Sequence, residues 1–474
     1  VLPVIALVGR PNVGKSTLFN ALTRTRDALV ADVPGLTRDR KYGYGRLAGH
    51  ACVVIDTGGL VESVQGAVEK LMAEQTLKAV EEADRVLFVV DAREGWTPQD
   101  QHVADLLRRS GKSVLVVANK AEGVEDEVAG ADFHRFGFGE PIAISASHQQ
   151  GLEPLLDRAL EGFERPEPED ANAAPATDRD PIRVAVVGRP NVGKSTLINR
   201  LLGEERVIAY DQPGTTRDTV EVEFERDGHP YVLIDTAGVR RRARVDEAIE
   251  KFSVVKTLQA IDRAHVVIGV LDAHDTIAEQ DATLMGIVAE QGRALVIAVN
   301  KWDGIPQDQR SAIRDGLDLR LDFLRFAHVH FISARHGTGV GETMESVLKS
   351  YRAAMRELPT KELTRTLEQA MTIHQPPLVR GRRIKLRYAH QGGRNPPVVV
   401  IHGNQTQHVP DAYRRFLENH FREVFRLKGT PMRVEFRTDD NPFAGRRNPL
   451  TPRQVRSRKR LMARVKGGKK GGKR

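Results

Sequence analysis

Nine consecutive residues occur twice in this chain. Positions 9–17 read GRPNVGKST, and positions 188–196 repeat them 179 residues downstream. Each copy follows an apolar, β-branched run (4–8 and 184–187) and opens a leucine pattern of helical spacing (Leu18 and Leu22; Leu197 and Leu201). A glycine loop between a strand and a helix is the setting in which successive backbone N–H groups converge on phosphate oxygens, helped by the positive end of the helix dipole. The first loop, Gly9, Arg10, Pro11, Asn12, Val13, Gly14, Lys15 and Ser16, and the second, Gly188, Arg189, Pro190, Asn191, Val192, Gly193, Lys194 and Ser195, are therefore expected to bind nucleotide phosphates. Lys15 and Lys194 would reach the outer phosphates, and Ser16 and Ser195 would ligate Mg²⁺.

Aligning the two copies extends the repeat. PGLTRD at 34–39 matches PGTTRD at 213–218, and DTGG at 56–59 matches DTAG at 235–238, all at the same offset. NKAE at 119–122 pairs with NKWD at 300–303, and SAS at 145–147 with SAR at 333–335, at offsets that drift upward because length changes fall in loops. The chain thus carries a duplicated unit. In each copy about five strand-like runs alternate with helical segments, including 86–90, 114–118 and 142–144, then 266–271, 294–299 and 329–332. That alternation implies a mostly parallel sheet with helices on both faces, and the motifs fall at the carboxyl ends of the strands, where open α/β sheets bind ligands.

The base is legible from the third motif. A carboxylate after an Asn-Lys pair accepts from N1–H and the exocyclic amine of guanine; adenine offers no such donor pair and would leave the acceptor unpaired. Asp303 is the expected base reader of the second copy, supported by Asn300, Lys301 and Trp302. Asn119, Lys120, Ala121 and Glu122 stand in the first copy, where Glu122 keeps the carboxylate on an arm one methylene longer. Ser145 and Ala146, with Ser333 and Ala334, would close over the base. The DTGG and DTAG stretches contribute Asp56, Thr57, Gly58, Gly59 and Leu60, and Asp235, Thr236, Ala237, Gly238 and Val239. Asp56 and Asp235 would support the Mg²⁺ shell, and Thr37 and Thr216 would close on the metal and the terminal phosphate. Lys15, Thr37, Lys194 and Thr216 are the expected catalytic residues for GTP hydrolysis. Leu60 and Val239 follow these glycines where better-known small GTPases often carry a water-orienting Gln, so another polarising group must act.

The rest of the chain bounds the setting. Its 474 residues suit about three domains at the usual 100–200 residues each, and 40% hydrophobic content supports packed cores. The one cysteine, Cys52, excludes an internal disulfide framework and suits a reducing compartment. The absence of a long apolar run points away from a membrane span, a secretory signal is not expected, and a cytoplasmic location follows. Nothing in the sequence demands an oligomer, so a monomer is expected. The net charge of +9 resides in the tail: residues 442–474 hold 13 Lys or Arg and no Asp or Glu. The expected layout is a first nucleotide domain at 1–163, an acidic, proline-bearing linker at 164–181, a second domain at 182–356, a small α+β domain at 357–441 and a basic disordered tail at 442–474. Within the α+β domain the reading is helix 362–372, strands 384–389 and 398–402, helix 411–425 and strand 432–437.

Twin GRPNVGKST domains joined by an acidic linker and followed by a small α+β domain resemble the Der (EngA) family of bacterial ribosome-assembly GTPases over essentially the whole chain. The resemblance implies GTP hydrolysis in both domains, a KH-like C-terminal domain and a role in maturing the large ribosomal subunit, with rRNA as partner. It also implies K⁺ dependence, with Asn12 and Asn191 at the position of the potassium-holding asparagine. No GxxG loop, the usual KH clamp on a nucleic-acid backbone, occurs in the C-terminal unit. The other basic elements are 380–385, Arg414–Arg415 and the arginines at 240–244 directly after DTAG. A tRNA-modifying GTPase fits less well, because one P-loop domain and a catalytic domain would be usual. A regulatory switch that recruits a protein without touching RNA is the remaining alternative.

Overall fold

A computed structural model describes residues 2–23, 41–47, 50–57, 76–124, 126–163, 180–203, 208–210, 221–234, 254–275, 278–379 and 382–438. Thr37, Gly58, Gly59, Leu60, Thr216, Asp235, Thr236, Ala237, Gly238 and Val239 lie outside these residues, as do the arginines at 240–244, most of the linker and the tail.

The first unit holds β1 (Val4–Val8), α1 (Lys15–Thr23), β2 (Lys41–Leu47), β3 (His50–Asp56), β4 (Arg85–Asp91), α2 (Pro98–Ser110), β5 (Ser113–Asn119), β6 (Ile142–Ala143) and α3 (Leu152–Ala159). Its sheet order is β2-β3-β1-β4-β5-β6, parallel except for the antiparallel β2–β3 pair. The central strands are buried on both faces, so they read as unbroken apolar runs such as VIALV. Helix α2 shows how locally the chain specifies its turns. Thr97 and Asp100 form a reciprocal capping box, Pro98 occupies the first turn, and Gly111 ends the helix at φ +66°.

The second unit repeats this plan with β7 (Ile182–Val187), α4 (Lys194–Leu202), β8 (Ile208–Tyr210), β9 (Val222–Arg226), β10 (His229–Ile234), α5 (Val254–Arg263), β11 (Val266–Asp272), α6 (Glu279–Glu290), β12 (Ala294–Asn300), β13 (His328–Phe331) and α7 (Val340–Ala354). The order is β13-β12-β11-β7-β10-β9-β8, with β8, β9 and β10 antiparallel to one another in turn. Helix α7 buries Val340, Met344, Val347, Tyr351 and Ala354, a three-to-four-residue stripe that seals one face of the sheet. Among the described residues the sheets have six and seven strands, against an expectation of about five per copy. The additions include the antiparallel strands at one edge: KYGYGRL in β2 lacks an apolar run, and VEFER in β9 alternates because one of its faces is wet.

The C-terminal unit contains α8 (Thr360–Ile373), a short β14–β15 hairpin (Leu378–Val379 and Arg382–Arg383), β16 (Lys385–Gly393), β17 (Val398–Asn404), α9 (Asp411–Val424) and β18 (Arg433–Thr438). The order is β16-β17-β18, with the first pair antiparallel and the second parallel. Leu363, Leu367 and Ala370 of α8 and Tyr413, Leu417 and Phe421 of α9 pack with Leu386, Ala389, Val399, Ile401 and Val434 into one core. Gly392, Gly393 and Gly403 lie within strands, not in a helix-to-helix loop.

The units touch. Tyr44 Oη donates to the Leu258 carbonyl of α5 at 2.6 Å, Gln259 Nε2 donates to the Leu2 carbonyl at 3.0 Å, and apolar residues of both nucleotide domains join one cluster. The C-terminal unit docks on the second domain through Leu295 N to Gly429 O at 2.8 Å and Gly429 N to Phe326 O at 2.7 Å. Cys52 is buried in β3, and burial pushes its thiol up to about 12, so at neutral pH it is an inert packing residue.

Candidate nucleotide sites

Each P-loop leaves the carboxyl end of a central strand and turns into a helix. Gly14 and Gly193 have φ of +95° and +99°. A Cβ at either position would lie 2.3 Å from Asn119 Nδ2 or 2.2 Å from Asn300 Nδ2, so glycine is required twice over, by dihedral and by space. Asn12 and Asn191 occupy the left-handed region at φ +67° and +65°, which asparagine tolerates better than most side chains.

Among the described residues, the structure joins the GRPNVGKST loop, the Asn-Lys pair and the Ser-Ala turn within each copy. Asn119 Nδ2 donates to the Val13 carbonyl at 2.9 Å while its Oδ1 accepts from Ala146 N at 3.0 Å. Asn300 does the same between Val192 O and Ala334 N, at 2.9 Å on both sides. In each copy one buried amide thus clamps the GRPNVGKST loop to the Ser-Ala turn. Ser145, Ala146, Ser333 and Ala334 are themselves buried. Ser16 Oγ donates to Asp56 Oδ2 at 2.8 Å, so a hydroxyl and a fully buried carboxylate stand together beside Lys15, a set of hard oxygens suited to Mg²⁺. Thr57 Oγ1 donates to Leu7 O and ties the end of β3 to β1.

Lys15 Nζ donates to the carbonyls of Gly9 and Arg10 at 2.8 and 2.7 Å, and Lys194 Nζ to that of Arg189 at 2.8 Å. Burial lowers the Lys15 pKa to about 8, with Asp56 opposing and Arg10 adding to the effect. The unfolded lysine therefore holds its proton more tightly than the folded one between pH 8 and its ordinary 10.5. Stability of the nucleotide-free chain should then gain a contribution as pH rises through that window. Thermal melts of the parent and a Lys15→Met variant test this: the parent should rise relative to the variant from pH 8 to 10, and parallel profiles would refute it.

In the Asn-Lys pairs, Lys120 donates to Asn12 O at 2.9 Å and to Asp91, and Lys301 donates to Asp272. Burial alone would raise both aspartates, but these lysines and nearby backbone amides hold them below the usual carboxylate range. Glu122 and Asp303 are likewise held low, first by the hydroxyls of Ser145 and Ser333, and then by neighbouring cations. Trp302 packs against Phe331 at 4.3 Å, with Arg310 over its ring at 5.3 Å; Ala121 is buried.

Motif reading missed a second pair of anchors. Arg10 forms ion pairs with Glu94 and with Asp100, whose side chain is fully buried at the head of α2. Arg189 repeats this on Asp281 at 2.9 Å and Asp275 at 3.2 Å. Desolvation raises the Asp281 pKa and Arg189 offsets part of it. A signal existed: Asp91 and Asp272, like Asp100 and Asp281, recur at the same 181-residue offset as the two Asn-Lys pairs. No helix among the described residues is long and apolar enough to cross a membrane.

Comparison with known proteins agrees with this arrangement. A family model described as "50S ribosome-binding GTPase" matches residues 4–120 and again 183–301. A second, described as "KH-domain-like of EngA bacterial GTPase enzymes, C-terminal", matches residues 357–437. Among curated proteins, GTPase Der of Thioalkalivibrio sulfidiphilus (strain HL-EbGR7) is 60% identical over 467 residues, covering 98% of this chain and 100% of that protein. GTPase Der of Hahella chejuensis (strain KCTC 2396) is 56% identical, with 98% and 97% covered, and that of Yersinia enterocolitica (serotype O:8 / biotype 1B, strain NCTC 13174 / 8081) is 54% identical, with 99% and 100% covered.

Proposed function

The chain belongs to the GTPase Der family and is a GTP-hydrolysing enzyme with two tandem GTPase domains and a KH-like domain; from that premise we propose that it acts in maturation of the large ribosomal subunit, in the cytoplasm, with nucleotide state governing its hold on the subunit and its rRNA. The observation that carries the reading of two working sites is the duplicated clamp of Asn119 and Asn300, each joining a GRPNVGKST loop to a Ser-Ala turn.

GTPases of this kind use nucleotide-bound Mg²⁺, which neutralises charge between the outer phosphates. Ser16, Asp56 and Thr37 would hold it in the first site, and Ser195, Asp235 and Thr216 in the second. Lys15 and Lys194 would neutralise the transferring phosphoryl group. Glu122 and Asp303 would read guanine, and Asn12 and Asn191 would help hold K⁺, whose charge replaces the side chain missing at Leu60 and Val239. Residues 1–163 and 182–356 form the two catalytic domains in this reading, with 357–441 as a docking domain.

The tail supplies long-range attraction to RNA. Its 13 cations would displace counterions from phosphates, and replacing about six would make affinity fall by orders of magnitude between low and physiological salt. Cosedimentation with isolated large subunits tests the proposal, with a non-hydrolysable GTP analogue, GDP or no nucleotide, for the full chain and for residues 1–441. Binding should require the GTP analogue, and truncation should weaken it and flatten its salt dependence. No pelleting in any nucleotide state would exclude the ribosomal role.

A further inference from the structure

The two base-reading carboxylates have unequal surroundings. Glu122 Oε1 accepts from Arg93 Nη2 at 2.7 Å, whereas its Oε2 is buried and lacks a well-aligned donor among the described residues. Ser145 nevertheless lies close enough to lower the acid, ahead of Arg93 and His148. In the second domain the position matching Arg93, at the 181-residue offset, is His274, which faces Asp272 at 3.4 Å and not the reader. Asp303 has Ser333, His336 at 3.5 Å and, as a more distant charge, Arg335, whereas the arginine at Glu122 is in direct hydrogen-bond contact. The arginine brace thus accompanies the longer side chain.

That pairing has a physical reason. Glu in place of Asp carries its carboxylate one bond, about 1.5 Å, farther from the backbone. It also adds a rotor that must be fixed before the carboxylate meets both donors of a guanine edge. A guanidinium on one oxygen fixes that rotor, and a carboxylate has enough lone pairs to serve arginine and base together. We propose that Arg93 is a positioning residue for guanine recognition in the first nucleotide site, bracing Glu122 through its hydrogen bond to Oε1. This rests on the reading of Glu122 as the base reader.

The test uses the full chain with the second site silenced by Lys194→Ala, titrated with GTP and with ITP, which lacks the 2-amino donor. Arg93→Ala should weaken GTP about fivefold, the scale of an exposed but well-formed ion pair, and narrow the GTP/ITP ratio. Arg93→Lys should recover part of the loss. In a Glu122→Asp background, whose shorter arm needs no brace, Arg93→Ala should change little. Because the Arg93 side chain is 58% exposed, the gap between parent and Arg93→Ala should shrink as KCl rises. Unchanged or tighter GTP binding in Arg93→Ala would overturn the proposal, the second outcome marking the pair as a competitor of the base. Glu122→Ala separates the two claims: if it leaves the GTP/ITP ratio intact, the base-reader assignment falls, whereas a loss there alongside a silent Arg93→Ala removes only the brace.

Discussion

Replacing Asn300 with Ala should abolish GTP binding at the second site at ordinary nucleotide concentrations while leaving the first site occupied. The side chain satisfies a buried carbonyl, Val192 O, and a buried amide, Ala334 N. Its removal leaves both unpaired at about 1–3 kcal/mol each, and the phosphate loop is no longer tied to the Ser333–Ala334 turn. A combined penalty of about 3–4 kcal/mol corresponds to a loss of two orders of magnitude or more in affinity. Asn119→Ala should do the same at the first site through Val13 and Ala146. Calorimetric titration with a GTP analogue distinguishes the sites, and retained affinity in either variant would show that other contacts suffice to hold the loops.

The second large effect is expected at Asp281 and Asp100. Each is a buried carboxylate at the start of a helix, paired with the arginine of a phosphate loop. Removing one member of a fully buried pair costs about 3–5 kcal/mol. The arginines here keep some contact with water, 10% and 22% exposed, so about 2–3 kcal/mol is the better expectation. Asp281→Ala should lower the thermal transition of the second domain and weaken its GTP affinity, with Asp281→Asn milder because its carbonyl still accepts from Arg189. Because a multidomain chain need not unfold in one step, the comparison is between matched calorimetric transitions of variant and parent. No shift in Asp281→Ala would mean that the pair contributes neither to folding nor to loop position.

These contacts mark the boundary of what the sequence made legible. The phosphate loops, the Asn-Lys pairs and the two buried Ser-Ala turns could be read because their chemistry demands particular residues at short spacing, and Gly14 and Gly193 tolerate no Cβ. The central parallel strands were readable for a related reason, since burial on both faces leaves only apolar residues. Strands β2 and β9 were harder: glycine, tyrosine and charge interrupt the apolar run in β2, and in β9 one face is exposed. The pairing of Arg10 with Asp100 joins residues 90 positions apart, so it becomes visible only when the repeat is aligned beyond its motifs. Arg93 and Glu122 break the repeat's symmetry, and only the folded chain brings them together. Thr37, Thr216 and Asp235, which would complete the metal and phosphate contacts, fall outside the described residues.

The most direct measurement is the number of guanine nucleotides bound per chain, counted by equilibrium binding of a non-hydrolysable GTP analogue in potassium buffer with Mg²⁺ and excess ATP. Two independent copies of one site predict two nucleotides for the parent, one for Lys15→Ala, one for Lys194→Ala and none for the double variant. A single nucleotide in the parent, or displacement by ATP, would contradict the account that both domains are working guanine-nucleotide sites.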